Sequence, residues 1–304
     1  MILWADAHIF VYHRFGDSRY PSTNTTIKEL KKEFTYFKTH EYKVIPLEKL
    51  VFALKKKKTI PDNWVVLTID DNFRSFYDNG LEIFKKFKYP FSLFVYVEAT
   101  QKKYPDYLNW SQLREISKYG SLEFHSYAHP HMTKLSDKEL EKDFKKGLTL
   151  FKQALHVEPK YFAYPYGEYS KRVKDIAKKF KFAAILNQNI GAVNNHSDIF
   201  DLDRNALVGK SNLKLSLKYK YLQATWIKPT LFPKDTILKA LHVKIKEDVK
   251  NAGLYISGNG WEKIPVKNRE INTILNKKLT KERTRIIVSV GNKISTKLLV
   301  PRHP

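Results

Sequence analysis

From Tyr42 to Asn187 the chain alternates two textures. Short apolar, β-branched or aromatic runs (YKVIPL, WVVLTI, PFSLFVYV, SLEF, KYFAYP and FAAIL) are separated by longer, lysine-rich stretches with apolar positions at helical spacing. Continuous apolar runs of this length suit strands buried on both faces. Their alternation with helical segments predicts βαβ units and a parallel sheet or barrel. One unit is punctuated clearly. Ser136 and Glu139 have the S-x-x-E spacing of a capping box, with Leu135 and Leu140 placed for the flanking hydrophobic staple. Leu140, Phe144, Leu148, Phe151 and Leu155 then recur at helical spacing. Residues 125–132, HSYAHPHM, therefore fall on a loop between a strand and a helix. In barrels, loops of that kind form the active face.

The pattern changes after ATWIKPTLFPKD. Short alternating runs follow, LHVKI, GLYISGNGW, TRIIVSVGN and STKLLV, with turn residues between them. Ile286, Val288 and Val290 share one face. This predicts antiparallel strands and a small β-sandwich. The boundary is placed near residue 223, with a barrel over 1–222 and a β-sandwich over 223–304.

Composition narrows the chemistry. A chain of 304 residues, 42% hydrophobic, has enough apolar material for one large domain or two medium ones. It has no cysteine, which excludes disulfides, thiolate zinc sites and cysteine nucleophiles. His, Asp and Glu remain as the strong metal ligands. The net charge of +24 attracts polyanions such as nucleic acid, anionic lipid or acidic glycan. No aromatic-and-basic RNA motif or zinc-finger spacing accompanies that charge, so no nucleic-acid partner is expected. The lysine run at 55–58 sits where a helix ends and reads as a solvated terminus. No apolar run is long enough for a transmembrane helix. The opening MILWADA is similar to the last part of a secretory signal without its basic start, and equally to a first strand.

Candidate chemistry gathers at three strand ends. His125 and His129 stand four apart in a loop, which fits metal ligation, with Pro130 stiffening the turn. His131 is a third ligand or only a neighbour. A histidine pair needs a carboxylate or a third histidine to make a catalytic site with an open position. The strand WVVLTI ends in Asp70-Asp71. Adjacent carboxylates there are costly without a cation or hydrogen-bond partner. They are either a solvated turn or helix cap, or one metal ligand beside one general base. In FAYPYGEYS, 162–170, Pro165 and Gly167 fix a turn in which the Tyr166 amide can face a developing oxyanion. Pro-Tyr-Gly is also a common turn.

Taken together, TIDDN (68–72), HSYAHPH (125–131) and YPYG (164–167) resemble the motifs of the polysaccharide deacetylase family, carbohydrate esterase family 4, the NodB-homology domain. FVYHRFGDSRYPST and YLNWSQLREI are similar to the branch that includes poly-N-acetylglucosamine deacetylases. The resemblance covers roughly residues 8–210. It implies an α/β fold, a distorted (β/α) barrel, with a divalent metal that is most often zinc, with cobalt, nickel or iron as alternatives. It implies Asp71, His125 and His129 as ligands, Asp70 as base, and Tyr166 as source of the oxyanion amide. Trp110, Tyr164 and Pro165 would line the sugar groove. The implied reaction is hydrolysis of N-acetyl groups from an amino-sugar polymer of the envelope or matrix, with release of acetate, in the periplasm or outside the cell.

Three departures stand out. Asn72 replaces the family's glycine after the aspartate pair, and Asn is the next residue best able to take positive φ. Ala163 stands where the family often has an arginine that orients the base. Arg204, in DLDRNAL, is the candidate replacement, the alternative being an ordinary surface ion pair. The late Leu-x-His of the general acid has no match. His13 is the best positional candidate, Asp70 can serve both transfers, and His196 and His242 are expected in a polar loop and in the β-sandwich. The competing expectation is a glycan-binding envelope protein with an inactive barrel. The C-terminal domain would bind carbohydrate, dock an envelope partner or cover the barrel. Trp226 and Trp261 are expected in its core, with sugar stacking as the alternative.

Overall fold

The structure is a computed structural model that describes residues 6–301. The first five residues of the MILWADA signal reading lie outside the described residues. Ala7 forms an isolated bridge to Val193, and the first strand is His8–Tyr12.

A parallel sheet forms the barrel wall. Its order is Asn205–Ala206, His8–Tyr12, Trp64–Asp70, Ser92–Val95, Ser121–Phe124, Tyr161–Ala163 and Ala184–Leu186. Lys43–Val44 pairs with the start of Trp64–Asp70, and Ser92–Val95 pairs with its end. All six apolar runs thus become strands. YKVIPL is shortened because Pro46 caps the helix Leu47–Lys55. The lysine run does end that helix. The capping box at Ser136 forms in both directions, and the helix Asp137–Leu155 follows.

The barrel closes by one irregular segment. Leu202 bridges in parallel to Leu186, and Asn205 and Ala206 pair with Phe10 and Val11. Two neighbouring stretches of a single loop thereby join the two ends of the sheet, which makes the barrel distorted.

Strand alternation sorts side chains between two apolar clusters. Phe10, Leu67, Ile69, Leu93 and Phe124 pack with the helices in one. Ile9, Val66, Phe94, Ala163 and Leu186 pack in the other. Thr68 and Asp70 have the parity of Val66, and His125 lies one residue beyond Phe124. The period of two therefore sends Asp70 and His125 to the same side of the sheet.

The second unit is an antiparallel sandwich. A five-stranded sheet and a three-stranded sheet share a core of Leu241, Val243, Leu254, Ile271, Ile286 and Val288. One pair is parallel: Lys220–Tyr221 lies against Lys293 and Ile294. The chain thus enters the sandwich sheet before residue 223. Trp226 is half-buried, its Nε1 donating to Ser295 Oγ at 2.9 Å. Trp261 is 59% exposed against Tyr255, contrary to the core placement expected of it. Its strand Gly260–Pro265 is the edge of the sheet, so one face of the ring has no covering layer.

Candidate active site

The site is built at the ends of three neighbouring strands and on the closing segment. Asp70 ends Trp64–Asp70 and is wholly buried. Asp71 and Asn72 follow with φ of 71° and 44°, both left-handed, which turns the chain sharply and splits the two carboxylates. Asn72 does more than tolerate that turn. Its Oδ1 accepts from Tyr96 N at 2.6 Å, its Nδ2 donates to Thr100 Oγ1 at 2.9 Å, and its carbonyl accepts from Leu108 N at 3.0 Å. A glycine at this position would lack the two side-chain bonds.

Arg204 meets Asp70 in a two-pronged pair. Nη1 lies 2.7 Å from Oδ1 and Nη2 lies 2.7 Å from Oδ2. Nη1 also donates to Thr68 Oγ1 at 3.1 Å, and Nε donates to the Asn187 carbonyl at 2.7 Å. Arg204 is 0% exposed, so the alternative of a surface ion pair is excluded. It arrives from the barrel-closing segment, between Leu202 and Asn205. Burial pushes the Asp70 carboxyl up, but the Arg204 guanidinium, with His125 and His13, brings it below its ordinary value. Replacing Arg204 with Met is therefore expected to raise the Asp70 pKa. It would also leave a buried carboxylate without its partner, a cost of about 3–5 kcal/mol. Chemical denaturation should show that loss. A group that works ionised would then need a higher pH, so the acid limb of any activity that depends on Asp70 moves upward. An unchanged acid limb would contradict the coupling.

Asp71, His125 and His129 converge. One ligand atom of each lies within 4.8 Å of the other two. His129 Nε2 is 3.0 Å and His125 Nε2 is 3.3 Å from Asp71 Oδ1, and His125 Nε2 is 3.9 Å from Asp70 Oδ2. Asp71 Oδ1 is nonetheless buried without an aligned hydrogen bond. An acceptor oxygen and two imidazole nitrogens facing one point, with that oxygen otherwise unsatisfied, is a donor set that fits a divalent cation. His125 Nδ1 is 2.8 Å from the Ala163 carbonyl, which assigns the proton to Nδ1 and leaves Nε2 as a free ligand. Burial opposes charge on His125, but Asp70 and Asp71 outweigh it and raise its pKa. Burial raises Asp71 as well, and the two histidines then take it well below the usual carboxylate range.

The histidine loop is braced from the helix behind it. Asp143 accepts from Tyr127 N and Ala128 N at 2.9 and 2.8 Å, and Ser126 Oγ accepts from His129 N at 2.8 Å. Ser126 and His129 both have positive φ. His131 is not in the metal cluster: its Nδ1 is 2.7 Å from Glu168 Oε2, and its ring stacks on Tyr166.

Tyr166 faces the site from the turn Pro165–Gly167, with φ of 58° and its ring 4.4 Å from that of His129. Tyr164 and Pro165 correct the expectation of a sugar-lining role. Both are buried, and the Tyr164 ring stacks on Tyr169 at 4.8 Å. The strand period turns Tyr164 toward the helices, the side away from Ala163. Trp110 is half-buried, starts a helix capped by Asn109, and bonds Gln101 through Nε1. The loop before it is tied to the aspartate turn, since Arg74 N donates to the Asp106 carbonyl at 2.7 Å.

His13 reaches the site from the first strand. Its Nε2 is 3.4 Å from Gln188 Nε2, and Gln188 Nε2 is 3.3 Å from Asp70 Oδ2. Burial lowers the His13 pKa despite the two aspartates nearby. His196 is exposed, and His242 lies in the sandwich beside Glu270, as expected of both. Gln188, Glu168, Arg283 and Arg285 were not anticipated. Gln188, Arg283 and Arg285 lie in polar or alternating stretches whose pattern carries no catalytic signal, and Glu168 lies in FAYPYGEYS, where only the turn residues drew attention.

Comparison with known proteins bears on the fold and the family likeness. Residues 57–185 match the family model for polysaccharide deacetylase. The chain is 24% identical over 171 residues to the poly-beta-1,6-N-acetyl-D-glucosamine N-deacetylase of Staphylococcus aureus, a match over 52% of this chain and 59% of that one. The chain thus spans less than two thirds of that relative's length. Among solved structures, the Streptococcus pyogenes deacetylase PplD superposes with a TM-score of 0.63 at 19% identity, over 68% of this chain and 94% of PplD. IcaB from Ammonifex degensii gives 0.59 at 22% identity, over 67% and 92%. These likenesses show the barrel fold.

Proposed function

We propose that this protein, whose residues 57–185 match the family model for polysaccharide deacetylase, hydrolyses N-acetyl groups from an amino-sugar polymer of the envelope or extracellular matrix and releases acetate. The observation that carries the reading is the convergence of Asp71, His125 and His129 beside the Arg204-paired Asp70. The two departures that favoured an inactive barrel lose their weight. Asn72 supports the turn by two bonds, and Arg204 occupies the arginine's place at the base.

Asp71, His125 and His129 would hold a divalent cation, with zinc as our assignment; such a donor set also accepts cobalt, nickel or iron. When bound, the cation supplies Lewis acidity that polarises the acetyl carbonyl and makes water more acidic at neutral pH. Asp70, ionised through Arg204, accepts the proton of the attacking water. The Tyr166 backbone N–H donates to the carbonyl oxygen as negative charge develops there. Asp70 then hands its proton to the amine nitrogen as the C–N bond breaks, leaving acetate and a free amine. Burial keeps His13 neutral, so we assign it to holding Gln188 beside Asp70 rather than to proton donation. The Trp110 and Tyr166 rings offer apolar surface to a sugar face.

The staphylococcal relative's printed activity guides the choice of substrate. We place the protein outside the cytoplasm; among the described residues no helix is long and apolar enough to cross a membrane. The test is acetate release from poly-β-1,6-N-acetylglucosamine, chitin oligomers and peptidoglycan. Release from the first is expected, and no release from any of the three would overturn the reading.

A further inference from the structure

The sandwich reaches the barrel's site through two arginines. Arg283 immediately precedes the strand Thr284–Val290 and Arg285 is its second residue, and both side chains reach carbonyls of the barrel. The Arg283 guanidinium makes two contacts at once. Nη2 donates to the Tyr166 carbonyl, and Nε lies 3.0 Å from Glu168 Oε1. The other Glu168 oxygen is 2.7 Å from His131 Nδ1. The His131 ring in turn stacks on the Tyr166 ring, centroids 4.2 Å apart and planes within 10°. These contacts close a ring around Tyr166. On the other side, Arg285 Nη2 donates to the Gln188 carbonyl at 3.1 Å, and the Gln188 side chain touches Asp70.

Tyr166 needs such a ring. It is a non-glycine residue at φ 58°, a conformation that persists only where surrounding contacts impose it. His131 pins its side chain and Arg283 pins its carbonyl, while Pro165 and Gly167 are buried on either side. With both held, the Tyr166 N–H has one orientation. The side-chain contact to that carbonyl comes from the C-terminal domain.

We propose that Arg283 is a positioning residue of the deacetylase site, through which the C-terminal domain completes the oxyanion-binding turn, with Arg285 bracing Gln188 on the base's side. The kinetic half rests on the deacetylase reading above; the structural half does not. A guanidinium suits the role because one rigid fork serves a carbonyl and a carboxylate together, which a lysine ammonium on a flexible stem does not.

The test uses the full chain with Arg283→Ala, Arg283→Lys and, as a control in the same domain, Arg269→Ala, whose side chain is mostly exposed. Three quantities are read: kcat and KM for acetate release, zinc stoichiometry, and amide hydrogen exchange across residues 164–170. For Arg283→Ala, kcat should fall about tenfold with KM within about twofold, less than the loss of an oxyanion donor itself. Zinc content should not change, and exchange in 164–170 should rise about tenfold. Arg283→Lys should recover little of the loss, and Arg269→Ala should match the unaltered protein. Unchanged exchange in 164–170 would overturn the proposal. So would faster exchange with an unaltered kcat, or exchange that rises equally in the helix Asp137–Leu155, which would mark a general loss of structure. If the unaltered protein releases no acetate, the deacetylase reading fails, and the exchange measurement alone decides whether Arg283 holds the turn.

Discussion

Asp70→Asn is expected to lower acetate release by about 10³-fold while zinc binding stays stoichiometric. The magnitude is that of removing a positioned general base. The substitution keeps the shape of the side chain and leaves Asp71, His125 and His129 in place. Asn72 still anchors the turn through Tyr96 and Thr100, so the ligand cluster keeps its frame. Arg204 loses its ionic partner but keeps its bonds to Thr68 and the Asn187 carbonyl. Stability therefore falls as well, and kcat is read well below the variant's unfolding temperature. Zinc content and kcat measured on the same preparation separate the two effects. A fully active Asn variant would show that Asp70 is not the base. Loss of zinc along with activity would show that Asp70 belongs to the ligand set.

His125→Ala is expected to abolish activity through loss of the metal, with zinc affinity reduced by at least about 100-fold. Perturbing only the groups that orient a ligand already costs 10–100-fold, and here the ligand itself goes. The change also removes the bond to the Ala163 carbonyl and leaves a void in a site that is 1% exposed. His131→Ala is the informative companion. His131 belongs to Glu168 and Tyr166, so this variant should bind zinc as the unaltered protein does. Zinc titration of both variants checks the pair of expectations. Equal loss of zinc in both would place His131 among the ligands.

The legible part of the site is the part carried by strand ends. Asp70-Asp71 and HSYAHPH follow apolar runs whose length and parity fix where they emerge, and alternation alone sends Asp70 and His125 to one side of the sheet. Arg204 was reachable for another reason: the motif resemblance left a gap at Ala163, and Arg204 was the candidate to fill it, with a surface ion pair as the alternative. Tyr164 failed because adjacency in YPYG says nothing about side. It sits one residue from Ala163 and so turns to the helix layer. Trp261 failed because an alternating strand pattern does not tell an edge strand from a central one. Arg283 and Arg285 gave no signal at all, and Glu168 stood inside FAYPYGEYS without a role of its own. The two arginines depend on how the sandwich docks on the barrel, a contact between distant segments such as Arg283 and Tyr166. The switch to antiparallel strands was clear, whereas the parallel pairing of Lys220–Tyr221, only two residues long, carried no periodicity to read.

The most direct test is acetate release from N-acetylglucosamine oligomers by protein stripped of metal and then given one equivalent of zinc. Stripped protein should be inactive, and zinc should restore release in the unaltered chain but not in His125→Ala. Full activity in the stripped protein, or stoichiometric zinc without any release from the oligomers or from poly-β-1,6-N-acetylglucosamine, would contradict the assignment of Asp71, His125 and His129 as the metal site of a deacetylase.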